Sequence, residues 1–240
     1  MKKGFKILVS LLCIISFSFG LFFSYVGKYY RVDEDLLQKY DSLNVDIEVF
    51  DSYITYGNRN SKKGIMFYPG AKVEYKAYEP LMKTLAKQGF FCILIEMPYN
   101  LAILDIYAAD GLVDKYTKID DWYMMGHSLG GSMAGIYLKD NYKEFDGVIL
   151  LGSYILEDLT YTDLYVISIY GSEDKILNKE VYESAKVNYP NSFDEMLIQG
   201  GNHSGFAVYG VQRGDGVATI TGEQQIRQTG VILSKLLLED

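Results

Sequence analysis

The chain is poor in the residues that build cross-linked, disordered or metal-holding proteins. Its 240 residues include two cysteines, four prolines and two histidines. Cys13 lies in an apolar run and Cys92 in a stretch with strand character, so the two have no plausible meeting point and no disulfide framework exists. Two thiols are also too few for a metal–thiolate centre. The scarcity of proline and the absence of low-complexity tracts exclude a disordered chain, and no internal repeat points to a solenoid. Positive charge is scarce as well, with 23 Lys and Arg against 31 Asp and Glu. Five of those bases, Lys2, Lys3, Lys6, Lys28 and Arg31, fall within residues 1–31, which hold no acidic residue. The remainder carries 18 basic against 31 acidic residues, a formal −13. Such a body repels phosphate backbones, so no nucleic-acid partner is expected, and anionic headgroups are an equally poor partner for the folded body.

What is present suits one ordinary domain with a sizeable core: 49% apolar and 22% charged residues. The exception is the N-terminus. Three lysines precede Ile7, and from there to Val26 no charge occurs. Twenty such residues wound as a helix rise about 30 Å, enough to cross the hydrocarbon core of a bilayer. Basic residues ahead of the run predict an N-terminus left inside the cell and a body outside it. Tyr25, Tyr29 and Tyr30 stand where an interfacial aromatic belt would lie. A cleaved signal peptide is the competing reading, with Ser18-Phe19-Gly20 as a weak cleavage site and a secreted body as its result. Apolar residues continue past Gly20 and no Ala-x-Ala occurs, which favours the uncleaved anchor. A buried core helix is the remaining alternative. The expected layout is an anchor or signal segment at 1–31, a polar linker with a helical turn at 32–44, and the main domain at 45–240.

Within that domain, residues 45–56 alternate apolar and polar side chains, as in one or two half-exposed strands. Ile65-Met66-Phe67-Tyr68, stopped by Pro69-Gly70, is a continuous apolar run that reads as a strand buried on both faces. Residues 90–95, 122–125, 148–151, 164–170 and 195–198 read as further strands. Helices are expected between them. One has Pro80 in its first turn and Gly89 just past its end. The others fall at 101–116, 131–138, 179–187 and 221–238, the last opened by a capping box of Thr221 and Gln224. Buried strands alternating with helices imply an α/β fold with a doubly wound, mostly parallel sheet, whose ligands lie beyond the carboxyl ends of the strands.

The chemistry-bearing residues all fall just after such strands. Gly126-His127-Ser128-Leu129-Gly130 fits the nucleophile-elbow pattern G-x-S-x-G between a strand and a helix. Small residues at Gly126 and Gly130 permit the tight turn that lifts the Ser128 hydroxyl above the sheet. An idle serine in a glycine-rich helix start is the bland alternative. A serine needs a base. His127 adjoins Ser128 inside the elbow and is badly placed, which leaves His203, in Gly200-Gly201-Asn202-His203, after the last strand. An acid must orient that imidazole. Asp174, after the strand ending at Tyr170, is favoured, with Glu173 a close rival and Asp146 and Asp158 remote ones. Two backbone amides must hold the oxyanion: Leu129, after the nucleophile, and Ala71, in the loop after the 65–68 strand. Tyr68, Tyr75 and Tyr99 lie near strand ends where they would line a pocket, though strand propensity and surface packing account better for most of the 22 tyrosines. The glycine-rich stretch 210–216 reads as a plain connection, with Asp215 close enough in sequence to touch the site.

These residues resemble the α/β-hydrolase superfamily and, more narrowly, its small dienelactone-hydrolase-like members, also called carboxymethylenebutenolidase-like. The resemblance covers roughly residues 45–240. It rests on Tyr68-Pro69-Gly70-Ala71, on Gly126 through Gly131, on Gly171 with Asp174, and on Gly200-Gly201-Asn202-His203. It implies a serine nucleophile at Ser128, an acid at Asp174, a base at His203 and no cofactor. Dienelactone hydrolases proper use cysteine where Ser128 stands, which argues against a dienelactone substrate. About a dozen residues separate the strands near Leu151 and Leu164, too few for a helical lid. An open, shallow pocket follows, and it argues weakly against long-chain lipids. The expected activity is hydrolysis of a small-molecule carboxylic ester or thioester through an acyl-enzyme. An amidase or peptidase on the same triad, or a fold relic that binds without turnover, are the alternatives.

Overall fold

The computed structural model describes residues 2–239. Eight strands form one sheet: β1 (Ile47–Val49), β2 (Tyr53–Tyr56), β3 (Lys63–Tyr68), β4 (Phe91–Ile95), β5 (Asp121–His127), β6 (Gly147–Leu151), β7 (Tyr165–Gly171) and β8 (Phe193–Ile198). Their order across the sheet is β1-β2-β4-β3-β5-β6-β7-β8. From β4 to β8 every pairing is parallel, while β2 runs antiparallel to both β1 and β4. The expected open, doubly wound sheet is therefore present, with an antiparallel margin.

The period-2 alternation of the strands sorts their side chains into two cores. Ile65, Phe67, Cys92, Leu94, Tyr123, Met125, Ile149 and Leu151 face one side, where α3 (Glu79–Gln88) and α7 (Gly222–Leu237) cover them. Met66, Tyr68, Phe91, Ile93, Trp122, Met124, Val148 and Leu150 face the other, under α5 (Leu129–Asn141). Pro80 lies in the first turn of α3, and Gly89 caps its end with φ +114°. Thr221 and Gln224 form the expected capping box of α7. α6 (Lys179–Ala185) is shorter than its sequence signal.

Two expectations need correction. Residues 45–56 do form two strands, but β1 is exposed throughout and β2 buried throughout. Tyr53 joins one core and Ile54 and Tyr56 the other, because β2 is roofed on both faces. Residues 101–116 do not form one helix. A 3₁₀ turn (Ala102–Leu104) and one α-turn, α4 (Leu112–Lys115), are separated by irregular chain, with Gly111 at φ +71°. The Tyr68 hydroxyl donates to the Ile106 carbonyl at 2.6 Å and accepts from the Ala109 amide at 3.2 Å. Those backbone groups are thereby diverted from a helical ladder.

The N-terminal run forms α1 (Lys2–Val26), whose apolar side chains stand exposed up to Val26. It is therefore not a core helix. Residues 32–44 include the expected helical turn, α2 (Glu34–Gln38), capped by the Asp33 side chain. The segment packs on the body, burying Tyr40 and pairing Asp41 with Lys83 at 3.3 Å.

Candidate active site

Ser128 sits between the end of β5 and the start of α5, with φ 53° and ψ −125°. A non-glycine residue in this sparsely populated region costs about 1–3 kcal/mol, so the neighbouring structure must hold it there. It does so by close approach. A Cβ on Gly126 would collide with the backbone of Gly130 and Gly131, and one on Gly130 with the carbonyl oxygens of Tyr68 and Pro69. Behind the turn, the Ser153 hydroxyl donates to the Ser128 carbonyl at 2.6 Å. Backbone oxygens cannot give way as a flexible side chain can. Gly130→Ala is accordingly expected to destabilise the fold by about 3 kcal/mol, read as a lowered urea midpoint. An unchanged midpoint would remove this account of the elbow.

His203 is almost fully buried, and its Nδ1–H donates to Asp174 Oδ2 at 2.8 Å. A carboxylate can only accept, so in the neutral ring the proton lies on Nδ1 and Nε2 is bare. Nε2 is buried without a hydrogen-bond partner among the described residues, and His203 and Ser128 line one cavity of about 240 Å³. No direct hydrogen bond joins the serine hydroxyl to Nε2, a looseness common before substrate binds. Asp174 is itself fixed: its Oδ1 accepts the amides of Ile176 at 2.9 Å and Leu177 at 2.8 Å. The rival carboxylates are engaged elsewhere. Glu173 accepts from the Ser172 hydroxyl, Asp158 from Thr160, and Asp146 from the Trp122 amide at the far end of β5.

Leu129 is the first residue of α5, where the positive end of the helix dipole meets the cavity. Among the described residues neither the Leu129 nor the Ala71 amide has an acceptor in the turns and loops. Leu129 lines the cavity; Ala71 does not, although its loop packs directly on the elbow through Tyr68, Pro69 and Gly70.

Further residues surround the three side chains. Gly152, at φ +51°, passes under the Asp174–His203 pair, where a Cβ would fall 2.9 Å from both Asp174 Oδ2 and His203 Nδ1. Asp215 clamps the His203 backbone, accepting from the amides of His203 at 3.2 Å and Ser204 at 2.8 Å. Buried Gln225 of α7 trades hydrogen bonds with the amide and carbonyl of Asn202 at 3.0 and 2.8 Å. His127 is buried, its ring centroid 4.4 Å from that of His203. Gly70 N–H donates to the Tyr78 hydroxyl at 3.1 Å, Tyr78 to His127 Nδ1 at 2.7 Å, and His127 Nε2–H to the His203 carbonyl at 3.1 Å. Burial, helped by the neighbouring His203, holds the His127 pKa well below its usual value, so this relay stays uncharged. It ties the loop ahead of Ala71 to the backbone of His203. Of these residues the sequence singles out Asp215, as close enough to touch the site, and His127, as the neighbour of Ser128; nothing in it marks Gly152 or Gln225.

A profile of the alpha/beta hydrolase family matches residues 64–227, about two thirds of the chain. The chain belongs to that family. All of β4 to β8, β3 but for its first residue, the elbow, Asp174 and His203 fall within the match. The α/β-hydrolase chain is also similar to the crystal structure of a predicted CIB-like hydrolase from Thermoplasma acidophilum. The TM-score is 0.58 at 16% identity, covering 80% of this chain and 99% of that one. At such identity the likeness is one of fold. No curated protein sequence matches significantly. Membership and fold together make this α/β-hydrolase a hydrolase in general terms.

Proposed function

We propose that the protein is a serine hydrolase that cleaves a carboxylic ester or thioester through an acyl-enzyme. One observation carries the reading: an imidazole oriented by Asp174, its Nε2 without a partner, lines the same cavity as a serine in an elbow conformation. In this scheme Ser128 Oγ attacks the acyl carbon and its proton passes to His203 Nε2. The amides of Leu129 and Ala71 take the developing oxyanion. Collapse breaks the bond to the leaving alcohol or thiol, which departs with the proton from His203. Water then repeats the sequence on the acyl-enzyme and returns free Ser128.

The resemblance to small dienelactone-hydrolase-like proteins supports a compact member of the family. Residues 152–164, between β6 and β7, form a loop without a helix, which accords with an open pocket. The serine in place of cysteine turns the proposal from dienelactones toward ordinary esters. We further propose α1 as an uncleaved anchor that leaves the catalytic domain outside the cytoplasm. Its length, its lack of charge and its exposed apolar surface support that layout.

A fluorophosphonate probe tests the catalytic reading. Labelling of the wild type at Ser128, lost in Ser128→Ala, is the expected result. A well-folded wild type that takes up no label would leave only a binding function.

A further inference from the structure

The polypeptide between α1 and the body does not hang free. Tyr30 N–H donates to the Lys72 carbonyl at 2.7 Å, and Glu74 N–H to the Tyr30 carbonyl at 2.9 Å, forming a parallel bridge of Tyr30 with Val73. Asp33 N–H donates to the Val208 carbonyl at 2.8 Å, and the Tyr30 hydroxyl accepts from the Arg213 amide at 3.1 Å. Residues 72–74 follow β3, and residues 208–213 belong to the loop that carries His203. This strap therefore fixes α1 to the carboxyl edge of the sheet, the edge on which Ser128, Asp174 and His203 all stand.

The contacts also set a depth. The Tyr99 ring, in the loop after β4, lies 5.8 Å from Phe22 and 6.0 Å from Phe23 between centroids. Lys72 Nζ stands 4.0 Å over the Tyr25 ring. Phe22 precedes Val26 by four residues, so it lies about 6 Å inside the end of the apolar run. Wherever that run enters lipid, Tyr99 is carried to the boundary with it. The side chains beside Tyr99 suit that position. Tyr99, Ile103 and Leu104 are 52%, 54% and 45% exposed, and Val211, two residues before Arg213, is 81% exposed. Lys28, Arg31 and Arg213 are exposed close to the exit of α1. Carboxylates stand there too: Glu74 accepts from the Val32 amide and Asp33 from the Leu36 amide, while Glu34, Asp35 and Asp105 are exposed. The rim beside the helix is thus apolar, with charges of both signs around it, and the exposed lysine and arginines reach toward the headgroup level.

We infer that the carboxyl-edge loops around Tyr99, Leu104 and Val211 rest in the headgroup layer of the membrane that α1 enters, so that Ser128 acts on esters presented at that surface. The inference rests on the reading of α1 as an anchor and of Ser128 as a nucleophile. The occupant is the bilayer because the rim is continuous with the helix that enters it. The cavity limits the substrate further. At about 240 Å³ it falls below the roughly 300–1,000 Å³ of pockets that engulf a drug-sized ligand. It accommodates a short acyl group, while the remainder of an amphiphilic substrate stays in the lipid.

The test uses the full chain in phosphatidylcholine–phosphatidylglycerol vesicles, with Cys13→Ser and Cys92→Ala as background. Single cysteines from Leu104→Cys, Val211→Cys, Val187→Cys and Phe17→Cys carry an environment-sensitive dye, and nitroxide lipids act as quenchers. Val187 is exposed just before β8, at the opposite edge of the sheet. Positions 104 and 211 are expected to quench several-fold more than 187, with 17 quenched by deep nitroxides. Quenching at 17 while 104 and 211 match 187 overturns the seating and leaves the anchor standing. No quenching at 17 overturns the anchor and the seating together. These readouts need no turnover, so a failed catalytic reading shows separately, in the fluorophosphonate experiment. As a second arm, Leu104→Asp with Val211→Asp is expected to slow hydrolysis of a vesicle-embedded acetyl ester about ten-fold and to spare soluble p-nitrophenyl acetate. Unchanged hydrolysis of the embedded ester, or equal loss on both esters, would overturn the assignment of surface-borne substrate.

Discussion

His203→Ala is expected to lower kcat on a short p-nitrophenyl ester by about a million-fold while the protein stays folded, the scale on which a nucleophile–base pair fails as a unit. The fold survives because the ties that hold the 203 backbone, from Asp215 and from His127, do not use the imidazole of His203. What disappears is the bare Nε2 of a residue that lines the cavity, and with it any acceptor for the Ser128 proton. His127→Ala provides the contrast. That ring does not line the cavity, and its loss strands the buried Tyr78 hydroxyl and the His203 carbonyl, at about 1–3 kcal/mol for each orphaned group. Stability should fall with a far smaller loss of rate. Circular dichroism and steady-state kinetics on both variants decide the matter, and equal rate losses would mean that the base has been misassigned.

Asp174→Asn should lower kcat by about 10⁴-fold, and the reason is a matter of which way the amide must face. Oδ1 accepts two backbone amides, from Ile176 and Leu177. An asparagine keeps both bonds only by placing its carbonyl oxygen there. Its NH₂ group is then turned toward His203 Nδ1, which can meet it only as an acceptor. The ring proton moves to Nε2, the atom that must be bare to receive a proton from Ser128. The variant should be folded, with its imidazole in the other tautomer, visible in ¹⁵N chemical shifts of the ring. A kcat within ten-fold of wild type would remove Asp174 from the mechanism and return attention to Glu173.

Much of this was readable before any coordinates. Short apolar runs closed by Pro69-Gly70 or by Gly126 located strands because a doubly covered strand has no polar face to disguise it. The elbow was readable because its demands are local: one tight turn that tolerates no side chain at its flanks. The features that escaped depend on partners distant in sequence. Nothing within residues 101–116 announces that the Tyr68 hydroxyl will claim two of their backbone groups. Residues 210–216 read as a mere connection because Asp215 acquires its role only when it folds back on His203. The strand at 53–56 looked half-exposed because its polar Thr55 and tyrosines mimic an amphipathic strand, whereas packing on both faces buries them all. The strap at Tyr30 was invisible for the same reason, since its partners lie some 40 and some 180 residues away.

That last separation has a consequence for how the protein comes into being. A ribosome releases Tyr30 some 180 residues before Arg213. The hydrogen bond between them cannot close until the chain has been made through Arg213, and contacts of such long range are the slow ones to form. A nascent molecule shorter than that therefore has Ser128 in its sheet but neither the strap nor the loop of His203 in place, and the edge on which all of them stand is completed in one late step.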